Sequence, residues 1–218
     1  MAIKLQVGVI GLGKFGFRVG STVTELGGSA IGVDNDPELV RRAQEVFSQV
    51  YQADAMNVVA LQQLGFYDLS HVVVSVGNDI TTSSILCMHL KDMGVAHVWV
   101  KAVSADHAKL LNKIGVHEVI FPEEMAARQL AHRLARPGFL DYLPFDSDMA
   151  IQELVVEKWA GKTLRDLDLT NRYRVQVIAT APRPGGLFHY IPSANHALAR
   201  GEVLVIIGPS DTVAKLTP

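Results

Sequence analysis

Three glycines, Gly11, Gly13 and Gly16 of GLGKFG, follow the apolar run VGVI and open a stretch whose apolar residues recur at helical spacing. In such a strand-to-helix turn the glycines play different parts. The first permits the tight turn, the second lets backbone approach phosphate oxygens, and the third lets the helix pack close to the strand. The helix beginning at Lys14 and Phe15 would then offer an anion its free N–H donors and the positive end of its dipole. About 20 residues further on, Asp34 closes the next β-rich run, SAIGVD, where a carboxylate can accept hydrogen bonds from ribose hydroxyls. The chemistry these residues suit is the binding of an adenosine nucleotide. Asp34-Asn35-Asp36 has no adjacent arginine for a ribose 2′-phosphate, which favours ATP, ADP or NAD(H) over NADP.

Further candidates fall at the carboxyl ends of later β-rich runs, the edge at which open α/β sheets bind ligands. They are Asp54, then Gly77 and Asn78, and Lys101 directly after VWV. Each has a plainer reading. Asp54 and Asp79 could cap the helices that follow them, and Lys101 could be a solvated strand end. The histidines (His71, His89, His97, His107, His117, His132, His189 and His196) form no HxxxH, HxH or triad-like pattern and read as surface or interface residues. Cys87, the only cysteine, lies in the apolar segment ILCMHL and reads as core.

The elements needed to position these groups can be read from the same chain. Six β-rich runs, QVGVIG, SAIGVD, SQVYQ, HVVVSV, HVWVKA and HEVIF, alternate with helical patterns, as βαβ units around a parallel sheet do. Phe15, Val19, Val23 and Leu26 share one helical face, as do Leu39, Ala43, Val46 and Phe47. Asp36-Pro37 starts a helix, and Gly65, Gly94 and Gly115 stand where helices stop. A sixth helix, EEMAARQLAHRLA, ends before Pro137-Gly138, and 137–148 reads as a connection. Beyond it IQELVVEKW, RVQVIATA and EVLVIIG are β-rich, with a short helix around KTLRDLDL. The expected fold is α/β: a Rossmann-like doubly wound parallel sheet over 1–136, and a smaller α+β C-terminal lobe over 149–218 that would gain by pairing with a copy of itself.

Bulk properties narrow the function classes. The chain has 218 residues, 49% hydrophobic and 19% charged, with a formal net charge of −2. No apolar run nears the roughly 18 residues of a membrane span. The N-terminus reads as mature structure and not as a signal peptide, so a cytoplasmic location is expected. Basic and acidic residues are well mixed, which argues against nucleic acid as a partner.

With GLGKFG, VDND, QADAM, VSVGND, VWVKA, KIGVHEVIFPEE and the closing GEVLVIIGP in this order, nearly the whole chain resembles the RCK-type regulators of Trk and Ktr potassium uptake systems. The resemblance implies an N-lobe that binds ATP, ADP or NAD(H), a C-lobe that dimerises, and an octameric ring beneath a membrane pore subunit. It places the ribose-binding acid on Asp34, the adenine pocket on Asn35, Asp54 and Ala55, and the loop after the fourth strand on Gly77 and Asn78. It also places on Glu123 a glutamate that lies near the phosphates and holds a cation such as Mg²⁺. Ktr-type members often carry arginine where this chain has Lys14, and lysine supplies a point charge without the planar two-pronged grip. Some relatives bind cyclic di-AMP in the C-lobe, but no diagnostic motif for it is found here.

Two other classes compete. An NAD-dependent oxidoreductase would use the same fingerprint but needs a substrate pocket and a proton-transfer group, for which the C-terminal lobe looks too small. A nucleotide-sensing repressor would need a helix-turn-helix, and no segment reads as one.

Overall fold

The six runs read as strands form one parallel sheet. The computed structural model describes residues 5–77, 79–135, 138–143 and 146–218. Strands β1 (Gln6–Ile10), β2 (Ser29–Asp34), β3 (Gln49–Gln52), β4 (His71–Val74), β5 (His97–Lys101) and β6 (Glu118–Ile120) lie in the order β3-β2-β1-β4-β5-β6. The order reverses between β1 and β4, which opens a crevice at their carboxyl ends.

Alternate residues of the strands feed two cores. Val7 and Val9 pack with Leu12, Val40, Ala43 and Phe47 beneath α1 (Lys14–Glu25) and α2 (Pro37–Gln44). Ile10, Val72 and Val74 pack instead with Leu61, Leu86, Leu90 and Leu111 from α3 (Val58–Gln63), α4 (Ile80–Asp92) and α5 (Ala105–Ile114). Cys87 is wholly buried in that second core, and burial pushes its thiol pKa up to about 12, so it stays protonated. Two apolar residues depart from expectation. Leu26, just after the last residue of α1, is 80% exposed, and in α2 Val40 is buried in the core while Leu39 packs against it only partly buried.

The helix boundaries follow the local chemistry. Asp36 accepts a 2.8 Å hydrogen bond from the Glu38 N–H with Pro37 in the first turn, and Gly115 closes α5 in the left-handed region at φ 84°. The cap of α3 is Asn57, which accepts from the N–H groups of Val59 and Ala60, so Asp54 is released from the capping role considered for it.

The chain divides into two compact units, Met1–Glu124 and Met125–Pro218, so most of α6 (Pro122–Ala135) belongs with the second. That unit holds an antiparallel sheet of β7 (Phe139–Leu143), β8 (Asp146–Val155), β9 (Gln176–Ala181), β10 (His189–Tyr190) and β11 (Val203–Pro209), in the order β10-β9-β11-β8-β7. The stretch 137–148, read as a connection, thus contains β7 and the start of β8. Turn-forming Pro, Asp and Ser disguised an antiparallel pair. The expected short helix is α7 (Leu164–Leu167), started by a capping box in which Thr163 and Asp166 exchange hydrogen bonds. No helix of the described residues is long and apolar enough to cross a membrane.

Candidate functional site

At the carboxyl ends of β1–β4 lies a cavity of about 480 Å³. Its floor is the glycine turn. Gly11 sits at φ 90°, where a Cβ would come within 2.3 Å of the Ser75 carbonyl oxygen, so only glycine lets the end of β1 lie this close to the end of β4. A Cβ on Gly16 would lie 2.0 Å from the Gly11 carbonyl oxygen, so this glycine sets how closely α1 approaches the turn. Gly13 differs: a Cβ there would meet nothing within 4 Å, and the residue lines open space at the start of α1. No side chain caps that helix, which leaves its first N–H groups available to an anion.

Asp34 stands at the end of β2 and binds the turn as well as lining the cavity. Its Oδ2 accepts from the Leu12 N–H at 2.6 Å and its Oδ1 from the Asp36 N–H at 2.9 Å. A carboxylate has about four lone-pair sites, so two remain for ribose hydroxyls. Arg42 braces the same turn from outside, donating to the Leu12 carbonyl oxygen at 2.7 Å while its guanidinium covers the Phe17 ring at 4.2 Å. Nothing in the spacing of the sequence pointed to Arg42.

Asn35, Asp54, Ala55 and Gly77 line the same cavity, with Asp54 also accepting from the Met56 N–H at 2.9 Å. Asn78 lies outside the described residues. Ser75, Thr82, Leu39 and Met56 are lining residues that the sequence reading missed. Asp79 caps α4, accepting from the Thr81 and Thr82 N–H groups and the Thr82 hydroxyl. These hydrogen bonds, the Thr82 hydroxyl first, hold its carboxyl below the usual range.

Four carboxylates, Asp34, Asp36, Asp54 and Asp79, thus line the cavity, and no lysine or arginine does among the described residues. Such a wall accepts hydroxyl and amino hydrogens. It repels a 2′-phosphate, and leaves the remaining phosphates to backbone N–H groups and the start of α1.

The other expected residues lie elsewhere. Lys14 is exposed at the head of α1 and does not line the cavity. Phe15 turns to an apolar hollow with Val7, Val19 and Trp99. Lys101 and Glu123 pair with each other at 2.6 Å in a separate cleft of about 510 Å³ at the ends of β5 and β6. The lysine is therefore already neutralised, and its hydrogen bond holds the Glu123 carboxyl below its usual pKa. Among the described residues no group of three His, Cys, Asp or Glu is arranged to hold a metal ion.

Residues 7–122 match the TrkA-N domain and residues 151–218 the TrkA-C domain. The chain is 29% identical over 214 residues to Ktr system potassium uptake protein C of Bacillus subtilis, covering 98% of this chain and 96% of that one. It is 31% identical over 210 residues to Ktr system potassium uptake protein A of Vibrio alginolyticus, covering 96% and 94%. Among solved structures, a GsuK channel bound to NAD superposes with a TM-score of 0.56 at 19% identity, covering 97% of this chain and 37% of that one, a likeness of fold.

Proposed function

The chain belongs to the RCK family of Trk and Ktr potassium-uptake regulatory subunits, with a TrkA-N and a TrkA-C domain, and on that premise we propose that it senses an adenosine nucleotide and gates a membrane potassium pore. The observation that carries the reading is the cavity itself. A glycine turn and an uncapped helix start face Asp34, with acidic side chains around them and no cation among the described lining residues. This arrangement suits ATP, ADP or NAD(H).

The nucleotide acts as a ligand and not as a hydride donor, so the chain is a regulator and not an oxidoreductase. A homo-oligomer, built from dimers into an octameric ring, sits at the inner face of the membrane against a potassium-transporting pore subunit. A Mg²⁺ accompanying the phosphates takes its ligands chiefly from the nucleotide and water. Glu123 reaches it only by releasing Lys101. ATP and ADP shift the ring by binding one of its conformations better than another, since equal affinity for both would shift nothing.

Native mass spectrometry of the purified chain tests this reading. An octamer retaining an adenosine nucleotide is expected. A monomer that takes up neither ATP, ADP nor NADH would refute it.

A further inference from the structure

Three of the scattered histidines meet at the amino edge of the parallel sheet. His71 opens β4 and His97 opens β5, and the two are register partners. Their rings stack with centroids 4.5 Å apart and planes 12° from parallel. His117, just before β6, sets its ring edgewise to His97 at 4.6 Å and to Trp99 at 5.1 Å. Ser70 links the first two rings, its hydroxyl 2.8 Å from His71 Nδ1 and its carbonyl oxygen accepting from His97 Nδ1 at 3.1 Å.

Such a stack is stable while its members are neutral. The rings lie face to face, with no acceptor between them, and His71 borders a hollow of about 230 Å³ with apolar walls that include Val73 and Trp99. Charging two adjacent rings sets like charges against each other at stacking distance. Nearby elements offer little relief. Glu118 on β6, Arg18 and Glu25 on α1, and Asp68, Asp92 and Lys113 on the segments leading into the strands make no ion pair with these rings among the described residues. Burial first, and then the charges of His97 and His117, push the His71 pKa below the ordinary imidazole value. The rings do not converge on a point, so the cluster is not a metal site.

We propose that His71, His97 and His117 form a proton-sensitive ladder that joins the starts of β4, β5 and β6 while neutral and forces them apart when more than one ring is protonated. The unfolded chain binds the proton more readily than folded His71 does. The ladder's contribution is therefore fully present above about pH 6.5 and lost as pH falls toward the folded value.

Urea unfolding of the full chain at fixed concentration, for wild type and His97→Gln, tests the ladder. From about pH 7.5 to about pH 5.5 the wild type should lose more of its folded-to-unfolded ratio than the variant, because folded His71 takes up a proton less readily than the unfolded chain does. Histidine ring hydrogen–deuterium exchange, read by mass spectrometry, should show the His71 midpoint rising in His97→Gln. If that variant fails to fold, His117→Asn supplies the same comparison. Equal acid losses in wild type and variant, or a His71 midpoint that neither substitution moves, would overturn the proposal.

Discussion

The glycine turn separates two kinds of requirement within six residues. Gly16 is fixed by the fold, because a Cβ there meets the Gly11 carbonyl oxygen at 2.0 Å. Gly16→Ala should cost about 1–3 kcal/mol in urea unfolding, the usual scale of overpacking. Gly13 faces open space. Gly13→Ala should therefore lose at most about 1 kcal/mol of stability, as at other helix caps, while weakening ATP or ADP binding in calorimetry by setting a methyl group where phosphate must approach. Affinity left intact by Gly13→Ala would place the phosphates elsewhere. Asp34 combines both requirements, since it holds the Leu12 N–H and also faces the cavity. Asp34→Ala should weaken nucleotide binding by about 1.5–3 kcal/mol, the scale for hydrogen bonds to a charged group, and unchanged affinity would remove it from the site.

At the scale of elements, what was legible was local and what was missed was long-range. The six strands, the helix stops and the Gly11–Asp34 constellation are written in neighbouring residues, through period, caps and glycines. The pairing of Lys101 with Glu123 is not, because it depends on β5 and β6 lying side by side. The histidine ladder likewise needs the register of β4 with β5, which no local pattern reveals. Phe15 follows its helical spacing, packing its side chain into the apolar hollow with Val19 and Val23 and not into the cavity that its place in the glycine turn suggested. Asn57 was overlooked as a cap because Asp54 stood nearer the strand; Asn57→Ala should cost about 1 kcal/mol in chemical denaturation, and no cost would mean that α3 is held by packing alone. The Lys101–Glu123 pair carries its own sign. Because the glutamate's pKa is depressed, its contribution is present above the ordinary value of 4.5 and fades as pH falls through the folded one. With Glu123 72% exposed, Glu123→Gln should cost less than about 1 kcal/mol at neutral pH and less still in acid.

For the whole molecule, small local preferences have to add up to a gate. If each nucleotide site favoured one ring conformation by about 1 kcal/mol, eight coupled sites would give about 8 kcal/mol, more than the roughly 5.5 that moves an equilibrium from 1:99 to 99:1. On the proposed reading, the third phosphate supplies that difference. Lys14, exposed at the head of α1, and Glu123, once freed from Lys101, are the side chains proposed to feel it. A regulator of this kind leaves NADH unconsumed in the presence of small carbonyl compounds, and sustained loss of NADH absorbance in proportion to protein would restore the oxidoreductase reading. The most direct test is potassium flux through vesicles holding the pore partner and this chain, measured with ATP, with ADP and without nucleotide, for wild type and Asp34→Ala. The account predicts that wild-type flux depends on which nucleotide is present and that Asp34→Ala loses this dependence while still joining the complex. Wild-type flux that is the same in all three conditions would contradict it.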